Sequence, residues 1–130
     1  MGYYFAKTLS SSFEAAESKV REELKKEGFG VLTEIDVKAT LKQKLNADFR
    51  KYKILGACNP PFVHQALEAE DKIGLMLPCN VIVQELAEGK VEVAAIDPVA
   101  SMQAVRNEVL AKVARQVQFK LKKVIFNLCA

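Results

Sequence analysis

The chain has 130 residues, half of them apolar and 27% charged, with no tryptophan and three cysteines. That length fits one domain, and that balance belongs to a folded globule rather than a disordered chain or a collagen-like repeat. The formal charge of +3 is unevenly spread: residues 101–130 carry six basic side chains against one acid, a net +5, and the remaining 13 basic and 15 acidic residues give −2.

Tyr3 to Leu9 is rich in aromatic and β-branched residues and reads as a first strand. Ser11 with Glu14 three positions on is a capping-box signature. Phe13, Ala16, Val20 and Leu24 then recur at helical spacing until Gly28 and Gly30 stop the helix near residue 27. Gly30 to Ile35 reads as a second strand. Asp36 can cap a short helix carrying Val37, Leu41 and Leu45 on one face.

Tyr52 to Cys58 reads as a third strand. Asn59-Pro60-Pro61 is a helix start, with Asn as cap and proline in the first turn. Leu75 to Leu86 and Lys90 to Ile96 form a hairpin around Ala87-Glu88-Gly89. The alternation in this hairpin is imperfect, which fits a strand buried on both faces. Pro78 within the first run suggests an edge or a bulge.

Asp97-Pro98 opens a single long C-terminal helix. Val99, Met102, Val109, Leu110, Val113, Val117, Leu121, Val124 and Leu128 line one stripe of it, with Lys112, Arg115, Lys122 and Lys123 opposite. The expected architecture is therefore α+β, a single compact domain over residues 1–130. It has a mixed, mostly antiparallel sheet of about five strands with helices packed on it.

Several of these strings are familiar together: Glu34-Ile35-Asp36, Ile54-Leu55-Gly56-Ala57-Cys58-Asn59-Pro60, Gly74-Leu75-Met76-Leu77-Pro78-Cys79-Asn80-Val81 and Asp97-Pro98. On them the chain resembles domain-of-unknown-function family 302, from about Phe13 to Met102. Met76 stands where that family often shows leucine. The resemblance implies a compact α+β fold and a homodimer, and it supplies no reaction.

The candidate ligand-binding residues are Cys58, Asn59, His64, Cys79, Asn80 and Arg106. Cys58 and Cys79 each precede an asparagine beside a proline. They can form a thiol pair facing a cleft, or be two small buried residues, as free cysteines usually are. Cys58 also lies just before a helix start, where a thiolate is favoured. No CxxC or CxxH spacing supports a metal. His64, the only histidine, can act as a base near Cys58 or sit on the surface. Asn59 is explained as a cap, whereas Asn80 falls in a strand, where asparagine is disfavoured. Arg106 falls inside the apolar stripe of the last helix. There it either needs a buried acceptor or snorkels at the margin.

Two function classes compete. One is a small dimeric ligand-binding or interaction module with a pocket near Cys58-Asn59-Pro60 and Pro78-Cys79-Asn80. The other is a thiol-dependent redox or metal-binding protein or enzyme using Cys58 and Cys79. Nucleic-acid binding through the basic last helix is weaker, since no aromatic interleaving is evident on its basic side. No cofactor can be named. The start of the chain has neither a signal-peptide pattern nor a myristoylation signal, and Cys129 is in the wrong register for prenylation. With the wide cysteine spacing, the expectation is a cytoplasmic protein with reduced thiols and no membrane partner.

Overall fold

The structure is a computed structural model, describing residues 2–128. In chain order the elements are β1 (Tyr4–Leu9), α1 (Phe13–Lys26), β2 (Gly30–Asp36), α2 (Val37–Leu45), β3 (Tyr52–Cys58) and α3 (Pro60–Ala69). A 3-10 segment (Asp71–Met76), β4 (Cys79–Ala87), β5 (Lys90–Ile96), α4 (Pro98–Ser101) and α5 (Glu108–Phe126) follow. The five strands form one sheet in the order β1-β5-β4-β3-β2. Every pairing is antiparallel, so the sheet is not mixed.

Helices α1 and α5 lie on one face of the sheet. Val81, Val83, Val91, Val93, Ala95 and Leu55 point into that layer and are buried. Phe13, Ala16, Val20 and Leu24 of α1 meet them, as do Leu110, Val113, Val117, Leu121 and Val124 of α5. Burial of this many large apolar side chains, at roughly 1.5–3 kcal/mol each, is the main force holding the layers together. A charged lattice ties α1 to the sheet edge. Lys53 lies 3.1 Å from Glu17 and 2.9 Å from Glu34, and Arg21 bridges the same two carboxylates. The two cations hold the Glu34 carboxyl below its usual range, Lys53 most strongly.

Local signals placed most boundaries. Ser12, rather than Ser11, is the N-cap of α1, its hydroxyl accepting from the Ala15 N–H at 3.1 Å. Ser11 instead hydrogen-bonds the Ser12 carbonyl. Asp36 caps α2 through the Ala39 N–H as its position predicts. The apolar face expected on α2 is not buried: Val37 and Leu41 are half-exposed and Leu45 is exposed. The strand expected from Leu75 begins only at Cys79, because residues 71–76 coil into the 3-10 segment. Pro78 thus precedes β4, which is a central strand with no proline in it.

The largest correction concerns the end of the chain. The single long helix is two helices, joined through residues 102–107. Asn107 caps α5, its Oδ1 accepting from the Leu110 N–H while its amide donates to the Ala69 carbonyl. Asp97 caps α4 and also accepts from the Gln118 side chain of α5, which folds the short helix back on the long one. Val109, predicted on the apolar stripe, is exposed, and Arg106 lies in the joint.

Candidate functional site

Alternation along β4 divides the candidates between two surfaces. Cys79, Val81 and Val83 point to the helices, and Asn80, Ile82 and Gln84 point away. One cleft on the helix side joins Asn59 and Cys79 from the two cysteine strings, while Asn80 faces the other side of the sheet.

The inner site is a cleft beneath α3 and α5, lined by Ala57, Asn59, Phe62, Leu77, Cys79 and Val113 among others. Its free volume is about 30 Å³. That is room for roughly two waters at ~10–15 Å³ each, and far below the ~300 Å³ at which small-molecule sites begin. Cys79 is buried in its wall, and burial pushes its thiol up to about 11, with a small addition from nearby Cys58. A thiol at that value is protonated at neutral pH and a poor nucleophile.

Asn59 is only 6% exposed. It occupies the N-cap position of α3 but makes no side-chain cap bond there, so the capping explanation is incomplete. Its Nδ2 donates instead to the Glu27 carbonyl at 3.0 Å, at the end of α1. The side chain packs against Gly28, whose φ of +88° belongs to the left-handed region and leaves no space for a Cβ without crowding the amide. Asn59 is thus a tie between the β3–α3 turn and the end of α1.

Cys58 is half-buried beside Gly30 and one register step from the Ala57–Cys79 pair. Strand alternation turns its side chain to the other face from Cys79, and both thiols are free. His64 is exposed on α3 and does not line the cleft that holds Cys79. Arg106 is exposed too. Among the described residues its guanidinium has no ion pair or hydrogen bond, which overturns the expected burial. The break before α5 removed it from the apolar stripe. Among the described residues, no cluster of three or more His, Cys, Asp or Glu is arranged to hold a metal. Cys129 lies outside the described residues.

The outer site is the open face of the sheet. Register places Ala6, Ala94, Ile82, Ile54 and Ile35 in one continuous row across all five strands. Thr8, Glu92, Gln84 and Tyr52 form the row on one side. Asn80 pairs with Gly56, and Gly56 with Thr33, on the other. A groove of about 390 Å³ runs over this face between Tyr3 and Tyr4 at one edge and Tyr52 at the other, with Asn80 at one end.

Gln84 donates to Glu92 at 2.9 Å and accepts from Arg50, whose guanidinium stacks on Phe49 and Tyr52. The Asn80 amide has no hydrogen-bond partner among the described residues and is exposed toward the groove. Sequence reasoning singled out Asn80 but missed Tyr4, Gln84 and Glu92. Their signal was the period-two spacing they share with Asn80, Ile82 and Ile96.

No helix among the described residues is long and apolar enough to cross a membrane. No curated protein matches the sequence. The fold is similar to the crystal structure of an uncharacterized conserved DUF302 protein from Bacillus stearothermophilus. The TM-score is 0.88 over 97% of this chain and 98% of that one, at 24% identity, a likeness that speaks for the fold alone. The domain of unknown function DUF302 matches residues 5–128, nearly the whole chain including both cysteine strings and all but the first residue of the sheet, and the chain belongs to that family.

Proposed function

We propose that this domain is a homodimeric binding module whose working surface is the open face of its sheet. The observation that carries the reading is the apolar row Ala6–Ala94–Ile82–Ile54–Ile35, in which Ala6 and Ile35 are exposed and Ile54 and Ile82 half-exposed. An antiparallel sheet with one solvated face ordinarily presents polar residues there. Here the rows at the centre of the face hold one ionised residue, Glu92, linked to Arg50 through the Gln84 amide. Such a face, apolar at its centre and rich in tyrosine and amides toward its rim, suits a second copy of itself. The groove ending at Asn80 is within the size range of small-molecule sites, and its free amide offers both a donor and an acceptor.

A thiol-dependent activity finds less support. Cys79 is protonated and buried, Cys58 turns to the other face of the sheet, and His64 does not line the cleft. Free thiols at wide spacing favour a cytoplasmic home.

Light scattering at micromolar concentration tests the reading. The parent chain should give twice the 14.4 kDa protomer mass. Ile82→Lys should give a monomer with a far-UV spectrum like the parent's, because the new ammonium stands in solvent once the copies part. A monomeric parent would end the proposal.

A further inference from the structure

We propose that the outward face of α5, with the adjoining edge of α3, binds single-stranded nucleic acid. An unpaired base would stack on Phe119, and Lys112, Arg115 and Lys120 would hold the phosphates. This surface lies on the far side of the helix layer from the open sheet face, so it stands or falls independently of the dimer.

The sequence suggested a basic helix face without aromatic interleaving, and the structure corrects that. Phe119 is 68% exposed and Phe126 is 80% exposed, both on the basic side of α5. Arg115 and Gln116 precede Phe119 by one turn, and Lys122 and Lys123 follow it by one turn. Lys122 and Lys123 in turn stand one turn before Phe126. Residues three and four apart on a helix are neighbours, so each exposed ring has cations beside it.

Phe119 also borders an open depression with Phe62 of α3, Lys112, Arg115, Gln116 and Lys120. Two rings, three cations and one amide line it, and no carboxylate does. Two acids stand near this surface: Glu27, 3.7 Å from Lys120 and 3.5 Å from Lys123, and Glu108, one turn before Lys112. The Glu27 contacts are loose, and among the described residues neither acid is in an ion pair with Lys112 or Arg115, although Glu108 borders both.

Rings interleaved with cations are what binding a single strand requires. Bases offer a π-face to an aromatic side chain whatever their identity, and the phosphates follow the positive charge. An anionic membrane asks for a different layout, an apolar helix face flanked by basic margins. Here the continuous apolar face of α5 is spent in the core, through Leu110, Val113, Val117, Leu121 and Val124. What remains outside mixes rings and cations on one arc.

The test uses the full chain and fluorescence anisotropy with a labelled single-stranded oligonucleotide of mixed sequence, over a salt series from ~50 mM upward. The parent should bind, with affinity falling as salt rises. Phe119→Ala should weaken binding about tenfold or more at an unchanged salt slope. Lys112→Gln with Arg115→Gln should make the slope shallower by about 1.4, at ~0.7 for each phosphate no longer neutralised. All three side chains are exposed, so thermal melting should match the parent and exclude unfolding as the cause. Absence of binding at ~50 mM salt overturns the proposal. So does a Phe119→Ala chain that binds as tightly as the parent, which would make the face a plain polyanion site. Binding to phosphatidylserine vesicles but not to the oligonucleotide would overturn it too.

Discussion

The two faces of this sheet are built from similar residues and differ in what covers them. On the inner face, Val81, Val83, Val91 and Val93 are fully buried under α1 and α5. On the outer face, Ile82 and Ile54 are half-exposed and Ile35 is 48% exposed, although they belong to the same strands or lie directly across from them. The lesson is that apolar character on a strand marks a face that is to be covered, without saying by what. The imperfect alternation of the hairpin pointed to burial on both sides. The chain itself covers one side, and the proposed dimer would cover the other.

Truncation in each face gives the sharpest contrast. Leu121→Ala removes a fully buried side chain between α5 and the sheet and should cost about 2–5 kcal/mol by chemical denaturation. The dimer reading predicts that Ile82→Ala, measured at protein concentrations low enough to separate the copies, costs less than half as much. Equal losses at the two positions would mean that the outer face is covered within the chain.

Titration of Cys79 probes the inner face next. Its thiol ionises at about 11 when folded, against an ordinary value of 9.0. A raised folded value means that stability is intact below pH 9 and is lost as pH climbs toward 11, since the unfolded chain releases the proton first. The loss should reach about 2–3 kcal/mol. Cys79→Ala should flatten that part of the stability-against-pH curve, and an unchanged slope would place the thiol in contact with water.

At Gly56 the Pro78 segment and Thr33 press close against the strand. A Cβ there would lie 2.1 Å from Thr33 Oγ1 and 2.6 Å from Pro78 Cγ. The hydroxyl can rotate but the proline ring cannot yield as readily, so Gly56→Ala should cost about 1–3 kcal/mol. It should also disturb Asn80, which sits across from Gly56. An unaffected melting temperature would show that the Pro78 loop moves freely off the sheet.

Much of the fold was legible because its determinants are local. The Phe13–Ala16–Val20–Leu24 spacing gave α1 and its buried stripe. Asp36 and Asp97 announced their helices, and Gly89, with a φ of +75°, marks the hairpin turn. The candidate site was less legible. Cys79 and Asn80 are adjacent in sequence, so they looked like one site. A strand turns adjacent residues to opposite faces, and only the placement of the helices shows which became core. Asn59 read as a cap because a cap needs nothing but its neighbours, whereas its actual partner, the Glu27 carbonyl, is 32 residues away.

By itself the sequence determined the helices and strands with strong periodicity, the antiparallel β4–β5 hairpin, and the family, through strings whose residues are contiguous. The tertiary structure alone decided three things. It broke the last helix after Ser101, because Asn107 bonds the end of α3 and Asp97 is held by Gln118. It moved Arg106 and Val109 out of the core as a result. It also set which face of the sheet stays open, because covering a face depends on helices distant in the chain, and no local preference encodes that distance.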